Sequence, residues 1–173
     1  ATKTNSLVTM TKKYGTKLLD TRKTTPGIRF MEKWAVKIGG GENHRFGLYD
    51  AILIKDNHID YCKGIKNAVK KACDYVQKNE KIPIIVEVRN KKELTEIINL
   101  KPKIDRVILD NFSIKETEEA IKIIDGIFPL ETSGNISEKN IVNYAKTGVN
   151  YISIGALTHS VKNIDMSLQA EVL

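Results

Sequence analysis

Short apolar runs alternate with longer amphipathic segments along the chain. Most of the apolar runs are rich in Ile, Val or Leu and lack strict alternation, as in strands that are buried on both faces. The predicted strands cover residues 17–20, 51–55, 84–88, 106–110, 128–131 and 151–154. Helical periodicity between them predicts helices at residues 66–78, 91–100, 113–125 and 137–146. This alternation predicts parallel strands joined by helical crossovers, an α/β architecture.

Local signals fix the ends of two predicted helices. Ser113 and Glu116 have the spacing of a capping box. Ser137 is expected to cap the next helix, and Gly148 is expected to end it. A further amphipathic stretch at residues 32–38 runs into three consecutive glycines, which lack the spacing of a phosphate-binding loop.

Each predicted strand delivers polar residues or glycine at its carboxyl end. An open doubly wound sheet and a closed barrel both fit the order of elements, but an open sheet concentrates its site at one switch point. Polar residues after every strand favour a barrel, since all its βα loops converge on one edge. We therefore predict an incomplete, TIM-like (β/α) barrel of about six parallel strands with outer helices.

The strand-end residues fall into three chemical groups. The first group is cationic and contains Arg22, Lys23, Arg45 and Lys55. It suits an anionic ligand, because arginine binds carboxylates with two parallel hydrogen bonds and lysine supplies a compact charge. Glu87 and Asp110 form an acidic pair on neighbouring strands, which suits Mg²⁺ or sugar hydroxyls. The third group can bring a phosphate close to backbone N–H groups and consists of Ser133, Gly134, Asn135, Ser153, Ile154 and Gly155.

A purely structural interpretation competes with each of these assignments. The cations could be surface charges, the acids could pair with helix lysines, and the glycines could serve backbone geometry alone. The three histidines, His44, His58 and His159, lie beside other polar candidates but lack the spacing of a metal site. The concentration of both signs of charge at one edge favours a functional site.

Composition narrows the class of protein further. The net charge of +7 has two explanations: lysine-rich helix faces that lie in water, or a surface that binds an anionic ligand. Few aromatic residues and no nucleic-acid-binding motif argue against a nucleic acid partner. No apolar stretch is long enough to span a membrane, and no signal-like start is visible. Cys62 and Cys73 are expected to be free thiols, which favours a cytoplasmic location.

Several motifs together resemble the quinolinate phosphoribosyltransferase family, the carboxylating nicotinate-nucleotide pyrophosphorylases of NAD biosynthesis. The likeness spans essentially the whole chain. It is carried by Thr21-Arg22-Lys23-Thr24-Thr25-Pro26-Gly27, the triple glycine with His44-Arg45, Lys55-Asp56-Asn57-His58, Ser133-Gly134-Asn135-Ile136 and the segment from Ser153 to Ser160.

The resemblance implies a pentosyltransferase that transfers phosphoribose from phosphoribosyl pyrophosphate to quinolinate with Mg²⁺. The products would be nicotinate mononucleotide, pyrophosphate and CO2. It implies that residues 1–173 form the C-terminal barrel domain, with the family's N-terminal domain absent and a homodimer or higher oligomer in the complete enzyme. The implied catalytic residues are Lys55, Glu87 and Asp110, the last two also on the magnesium side. The implied substrate-binding residues are Thr21, Arg22, Lys23, His44, Arg45, Lys55, His58, Glu87, Asp110, Ser133, Gly134, Asn135, Ser153, Ile154, Gly155 and His159.

Three other functions remain as alternatives. One is a related pyridine phosphoribosyltransferase that uses nicotinate, and another is a paralogue from molybdate-uptake operons. The third is a phosphate-binding or regulatory module without catalytic activity. Binding alone does not require the acidic pair of Glu87 and Asp110, so that pair favours an enzyme.

Overall fold

The chain forms one parallel sheet wrapped by helices in a computed structural model, which describes residues 1–79, 81–159 and 165–171. Over these residues the sheet has six strands in the order β1-β6-β5-β4-β3-β2, and all neighbouring pairs are parallel. The strands are β1 (Lys17–Leu19), β2 (Ile52–Ile54), β3 (Ile84–Val88), β4 (Arg106–Asp110), β5 (Leu130–Ser133) and β6 (Tyr151–Ser153). Neighbours follow chain order except where β1 joins β6, which is the order of a barrel.

Helices cover the outside of the sheet. In the described ranges the α-helices are α1 (Thr2–Thr11), α2 (Arg29–Ile38), α3 (Asp56–Tyr61), α4 (Ile65–Lys78), α5 (Lys91–Leu100), α6 (Ile114–Ile124) and α7 (Ile141–Lys146). Two 3₁₀ turns lie at Lys12–Tyr14 and Gly155–Leu157. None of the helices described has both the length and the hydropathy that a membrane crossing requires.

The barrel is open between β1 and β2, whose facing edges are not paired with each other in the described sheet. The segment after α2 runs alongside β1 there. The Glu42 N–H donates to the Leu18 carbonyl at 2.7 Å, and the Asp20 N–H donates to the Glu42 carbonyl at 3.2 Å. We call this opening the seam. The prediction of an incomplete six-stranded barrel is confirmed.

The two faces of the sheet have different chemistry. Alternate residues such as Val86, Leu109 and Ile152 point outward into a large apolar core shared with the helices. A small apolar cluster with Ile85 and Ile108 occupies the inner face. Polar strand residues follow on that inner face toward the carboxyl ends, because side chains two positions apart share a face. The alternation of side chains along each strand therefore places apolar residues in the outer core and charged residues in the interior of the barrel.

Several element boundaries differ from the predictions. β5 begins two residues after the predicted strand, because Pro129 has no N–H to donate to a ladder. Asn140, rather than Ser137, precedes α7, and its Oδ1 accepts a hydrogen bond from the Ser137 N–H at 2.8 Å. By contrast, the capping box of Ser113 and Glu116 is present, and Gly148 follows α7 with φ of 85°.

Candidate active site

A cavity of about 790 Å³ opens at the carboxyl ends of the strands. Among the described residues, it brings together every predicted site residue except His58. The lining includes Thr21, Arg22, Lys23, His44, Arg45, Lys55, Glu87, Asp110, Ser133, Gly134, Asn135, Ser153, Ile154, Gly155 and His159. Residues after all six strands therefore face one space, although their individual roles stay predictions.

Arg22 and Arg45 form a cationic wall that is incompletely paired. Arg45 donates from Nη1 to the Ala51 carbonyl at 2.8 Å. The Nε atoms of both arginines are buried and lack a hydrogen-bond partner in the described part of the chain. Burial, and then the charge of Arg22, lowers the pKa of Arg45. Two cations that repel each other and retain unused donors suit a ligand with more than one negative charge.

A buried ion pair fixes the backbone beside this wall. Lys33 Nζ lies 2.5 Å from Asp20 Oδ1, and both side chains are almost fully buried. The same Asp20 oxygen accepts the His44 N–H at 2.8 Å, while Lys33 donates to the His44 carbonyl at 3.0 Å. Burial raises the pKa of Asp20 despite the opposing effect of Lys33. The pair thereby positions His44 and Arg45, which lie outside the strand ladders.

His44 is held as a neutral ring. Its Nδ1 accepts the backbone N–H of Arg45 at 2.8 Å, and a backbone N–H can only donate. Nδ1 therefore carries no proton, and the ring proton is on Nε2. Burial, followed by the charge of Arg106 and other cations, lowers the pKa of His44 to about 3. Near neutral pH this ring is a hydrogen-bond donor and not a cation.

Glu131 lies at the floor of the cavity and was not among the predicted site residues. It is fully buried on β5, where Oε2 accepts Arg106 Nη1 at 2.9 Å. Burial raises the pKa of Glu131 to about 7 in spite of the charge of Arg106. The available signal was its position within an apolar run, two residues before Ser133 and hence on the same face. Asp20 and Lys33 were missed similarly, because nothing in the sequence shows that they meet.

Glu87 and Asp110 form the acidic side of the cavity. Glu87 Oε2 lies 3.3 Å from Lys55 Nζ. Burial raises the pKa of Glu87, Lys55 opposes this, and Asp110 adds to it. Asp110 accepts hydrogen bonds from Ser133 at 3.3 Å and from Asn111 at 3.1 Å. A divalent cation bridging to substrate oxygens would relieve the repulsion between the two carboxylates.

The acidic pair on its own is an incomplete metal site. Among the described residues, no group of three or more His, Cys, Asp or Glu side chains is placed to hold a metal ion. Mg²⁺ in phosphate-handling sites commonly takes one or two carboxylates and completes its shell with water and substrate phosphates. Two carboxylates therefore fit Mg²⁺ that arrives with a phosphorylated ligand.

Glycine is required at the turn after β5. Gly134 has φ of 93°, and a Cβ there would lie 2.1 Å from the Asn111 side-chain oxygen. After β6, Gly155 is close to His159, whose Nε2 would lie 2.7 Å from an added Cβ. These close approaches pack the Asn111 and His159 side chains directly against the two glycines at the cavity edge, where a larger residue would clash.

His58 is absent from the cavity lining and has a local role. Its Nδ1 accepts the Lys55 N–H at 3.0 Å at the start of α3. This contact fixes the backbone of Lys55, whose side chain reaches Glu87. His58 thus contacts the cavity wall through Lys55, and its role in substrate binding stays a prediction. The two cysteines are free thiols, as predicted.

Fold and cavity together define an α/β-barrel protein with a charged pocket at the carboxyl ends of its strands. Residues 1–169 match the family model described as "Quinolinate phosphoribosyl transferase, C-terminal domain". The chain belongs to the quinolinate phosphoribosyltransferase family.

Curated relatives and solved structures agree with this membership. A Nicotiana tabacum protein named "Quinolinate phosphoribosyltransferase (decarboxylating) 2b, mitochondrial" is 42% identical over 89% of the chain and 48% of its own length. The chloroplastic nicotinate-nucleotide pyrophosphorylase (carboxylating) of Arabidopsis thaliana gives the same figures. The nicotinate-nucleotide pyrophosphorylase structure from Francisella tularensis is 51% identical, with a TM-score of 0.87, and the match covers 96% of this chain and 57% of that one. The chain spans about half the length of the curated relatives it matches.

Proposed function

We propose that this chain is the barrel part of an enzyme that transfers phosphoribose from phosphoribosyl pyrophosphate to quinolinate, with loss of CO2. The observation that carries the proposal is one cavity with incompletely paired arginines on one side and two carboxylates on the other. Quinolinate has two neighbouring carboxylates, whereas nicotinate has one. The adjacent guanidinium groups of Arg22 and Arg45 favour the dicarboxylate.

The pyridine ligand would bind beside the seam. Arg22 and Arg45 would pair with its carboxylates, and Lys23 lies on the same side of the cavity. His44 contributes a neutral Nε2–H donor to this part of the pocket. These groups are fixed by the Asp20–Lys33 pair and by the Arg45 bond to Ala51, so little ordering accompanies binding.

Phosphoribosyl pyrophosphate would bind toward the acidic side. Glu87 and Asp110 are suited to the ribose hydroxyls and would hold Mg²⁺, which would neutralise charge on the pyrophosphate leaving group. The turns at Gly134 and Gly155 line the cavity and would offer backbone N–H groups to the 5′-phosphate. Lys55 is near enough to Glu87 to hold that carboxylate in place.

Charge complementarity would carry the reaction. As the bond from the ribose carbon to pyrophosphate breaks, positive charge develops on the sugar, and Glu87 and Asp110 stabilise it. The pyridine nitrogen forms the new bond to that carbon and becomes positively charged. The ring then accepts the electron pair released as the adjacent carboxylate leaves as CO2, and the ring carbon takes a proton from water. The cavity chiefly holds the two substrates in position.

An exposed apolar surface beside the seam supports assembly with further protein. Phe30 and Trp34 on α2 are 68% and 60% exposed, and Leu48 and Tyr49 on the following loop are 72% and 70% exposed. Large apolar side chains exposed in such number on neighbouring segments are typical of a surface that another protein covers. We propose that protein outside this chain covers it in a homodimer or higher oligomer.

The free cysteines support a reducing, cytoplasmic compartment.

Calorimetric titration of the folded chain with quinolinate tests the proposal, with nicotinate as the competing ligand. We expect quinolinate to bind more tightly, and Arg45→Ala to lose about tenfold or more in affinity. Arg89→Ala is the matched control, because Arg89 lies outside this cavity and pairs with Asp60 and Glu93. Equal affinity for both acids, or equal losses in both variants, would contradict quinolinate as the ligand.

A further inference from the structure

Glu131 and His44 present two polar atoms to the cavity that do not bind each other. Glu131 Oε1 lies 3.6 Å from His44 Nε2, which is longer than a hydrogen bond. Within the described residues, Oε1 is buried and makes no hydrogen bond of good geometry, although the Ser153 side chain lies close enough to Glu131 to oppose the rise of its pKa. Both residues line the cavity. A buried oxygen left without a partner is unfavourable unless a ligand supplies one.

The geometry of the two atoms suits a shared acceptor. His44 carries its proton on Nε2, because Nδ1 accepts the Arg45 N–H. Two atoms 3.6 Å apart can each lie at hydrogen-bond distance, about 2.8 Å, from one ligand oxygen. If Glu131 were ionised, its Oε1 would repel a ligand carboxylate at that position. If it were protonated, both atoms would donate to the ligand.

We propose, on the basis of the function inferred above, that Glu131 binds the dicarboxylate ligand as a carboxylic acid. Its Oε1–H and the Nε2–H of His44 donate to one carboxylate oxygen. When Glu131 is ionised in the free protein, the proton comes from solvent, so that ligand binding is coupled to proton uptake. Glu131 is thereby a specificity-determining residue for the carboxylate that lies deepest in the pocket.

The charges around Glu131 are consistent with this role. Arg106 on β4 faces Oε2, Glu87 on β3 faces the same interior, and His44 faces Oε1 from the seam. Burial raises the pKa of Glu131 to about 7, and the negative charge of Glu87 contributes to the increase. A bound dianion would raise it further. His44 does not supply the pH dependence, because its pKa is lowered to about 3.

Quinolinate titrations at pH 6 and pH 8 test the proposal, since its carboxylates remain ionised at both. We expect the folded chain to bind about tenfold more tightly at pH 6. Glu131→Gln keeps the size and a hydrogen-bond donor without a charge. It should therefore bind equally at both pH values, with an affinity near that of the unsubstituted chain at pH 6. Glu119→Gln removes a carboxylate outside the cavity and is the matched control, which should retain the pH dependence.

Calorimetry at pH 7 in two buffers of different ionisation enthalpy adds an independent measurement. We expect uptake of about half a proton on binding, and none in Glu131→Gln. The proposal is overturned if binding is tight but independent of pH, if the pH dependence survives in Glu131→Gln, or if it disappears in Glu119→Gln. These results would leave quinolinate as the ligand. Failure of the folded chain to bind quinolinate at either pH would instead overturn the proposed function and this inference together.

Discussion

Asp20 and Lys33 form an ion pair that is shut off from solvent, with 2.5 Å between Oδ1 and Nζ. Asp20 follows β1 and Lys33 lies in α2, so the pair joins the helix to the edge strand beside the seam. Both partners also bind the backbone of His44. One buried contact therefore contributes to the stability of the fold and to the shape of the cavity.

Replacement of Lys33 by Met is expected to lower the free energy of unfolding by about 3–5 kcal/mol, because it leaves Asp20 buried without its cation. Lys37→Met is the matched control on the same helix. Lys37 pairs with Glu42 in an exposed position, so its loss should change stability by less than about 1 kcal/mol. Urea denaturation of both variants measures the difference. Equal effects would show that the buried pair has no special contribution.

Glu87→Gln and Asp110→Asn should lower kcat by about a hundredfold or more in the complete enzyme, since each removes negative charge facing the developing sugar cation. Quinolinate affinity should change little, because in the proposed arrangement the pyridine carboxylates bind to Arg22 and Arg45 on the other side of the cavity. Glu119→Gln is the control, as Glu119 pairs with Lys91 outside the cavity. Unchanged turnover in both acidic variants would favour a module that binds phosphate without catalysis.

Glu131 and His44 should give opposite pH dependence of stability. Burial raises the pKa of Glu131 from 4.5 to about 7, so the native state binds more protons in that window and stability falls as pH rises through it. The pKa of His44 is lowered from 6.5 to about 3, so stability falls as pH drops below about 6.5. The two effects oppose each other between about 4.5 and 6.5.

Chemical denaturation from pH 4 to pH 8 should reveal the two contributions separately. Glu131→Gln should remove the decrease in stability toward pH 7, and His44→Gln should reduce the decrease toward pH 4. Glu118→Gln, on the exposed side of α6, controls for the removal of a surface carboxylate. A slope in Glu131→Gln identical to that of the unsubstituted chain would rule out a raised pKa at this position.

Gly134→Ala should destabilise the turn after β5 by about 1–3 kcal/mol and weaken phosphate binding, because φ of 93° is strained for alanine and Cβ would meet Asn111. Gly155→Ala provides a contrast. Its φ is not left-handed, and its added Cβ meets the end of the His159 side chain and, at ordinary contact distance, the Lys23 side chain. It should fold normally and affect the cavity through His159. Thermal denaturation and titration with inorganic phosphate distinguish the two variants.

The sequence predicted the sheet well because each strand is an apolar run between polar ends. β3 and β4 have the predicted boundaries, since both are fully flanked by partners and helices. α1 and α3 were not predicted. Only Thr4, Leu7 and Thr11 are buried in α1, which leaves no apolar stripe to detect, and α3 spans six residues.

Residues at the ends of strands were the most directly predictable part of the site, whereas His44 and Arg45 follow α2 and were assigned with the help of the family motifs. Arg22, Glu87 and Asp110 could be placed at one edge because parallel strands end together. Glu131 could not, because a charged residue inside an apolar strand gives no indication of its partner. Its neighbour Arg106 is 25 residues away in the chain, and only the register of β4 and β5 brings them together.

The seam separates ligand recognition from the barrel that supports it. His44 and Arg45 are attached through side-chain contacts to Asp20, Lys33 and Ala51, whereas the carboxylates of β3 and β4 are fixed within the hydrogen-bonded ladder. Under the proposed function, substitutions in the segment between α2 and β2 would therefore change which acid is bound while Glu87 and Asp110 keep their geometry. In a barrel of this kind, the acid that accepts the sugar could change through substitutions in that segment, without a change of fold.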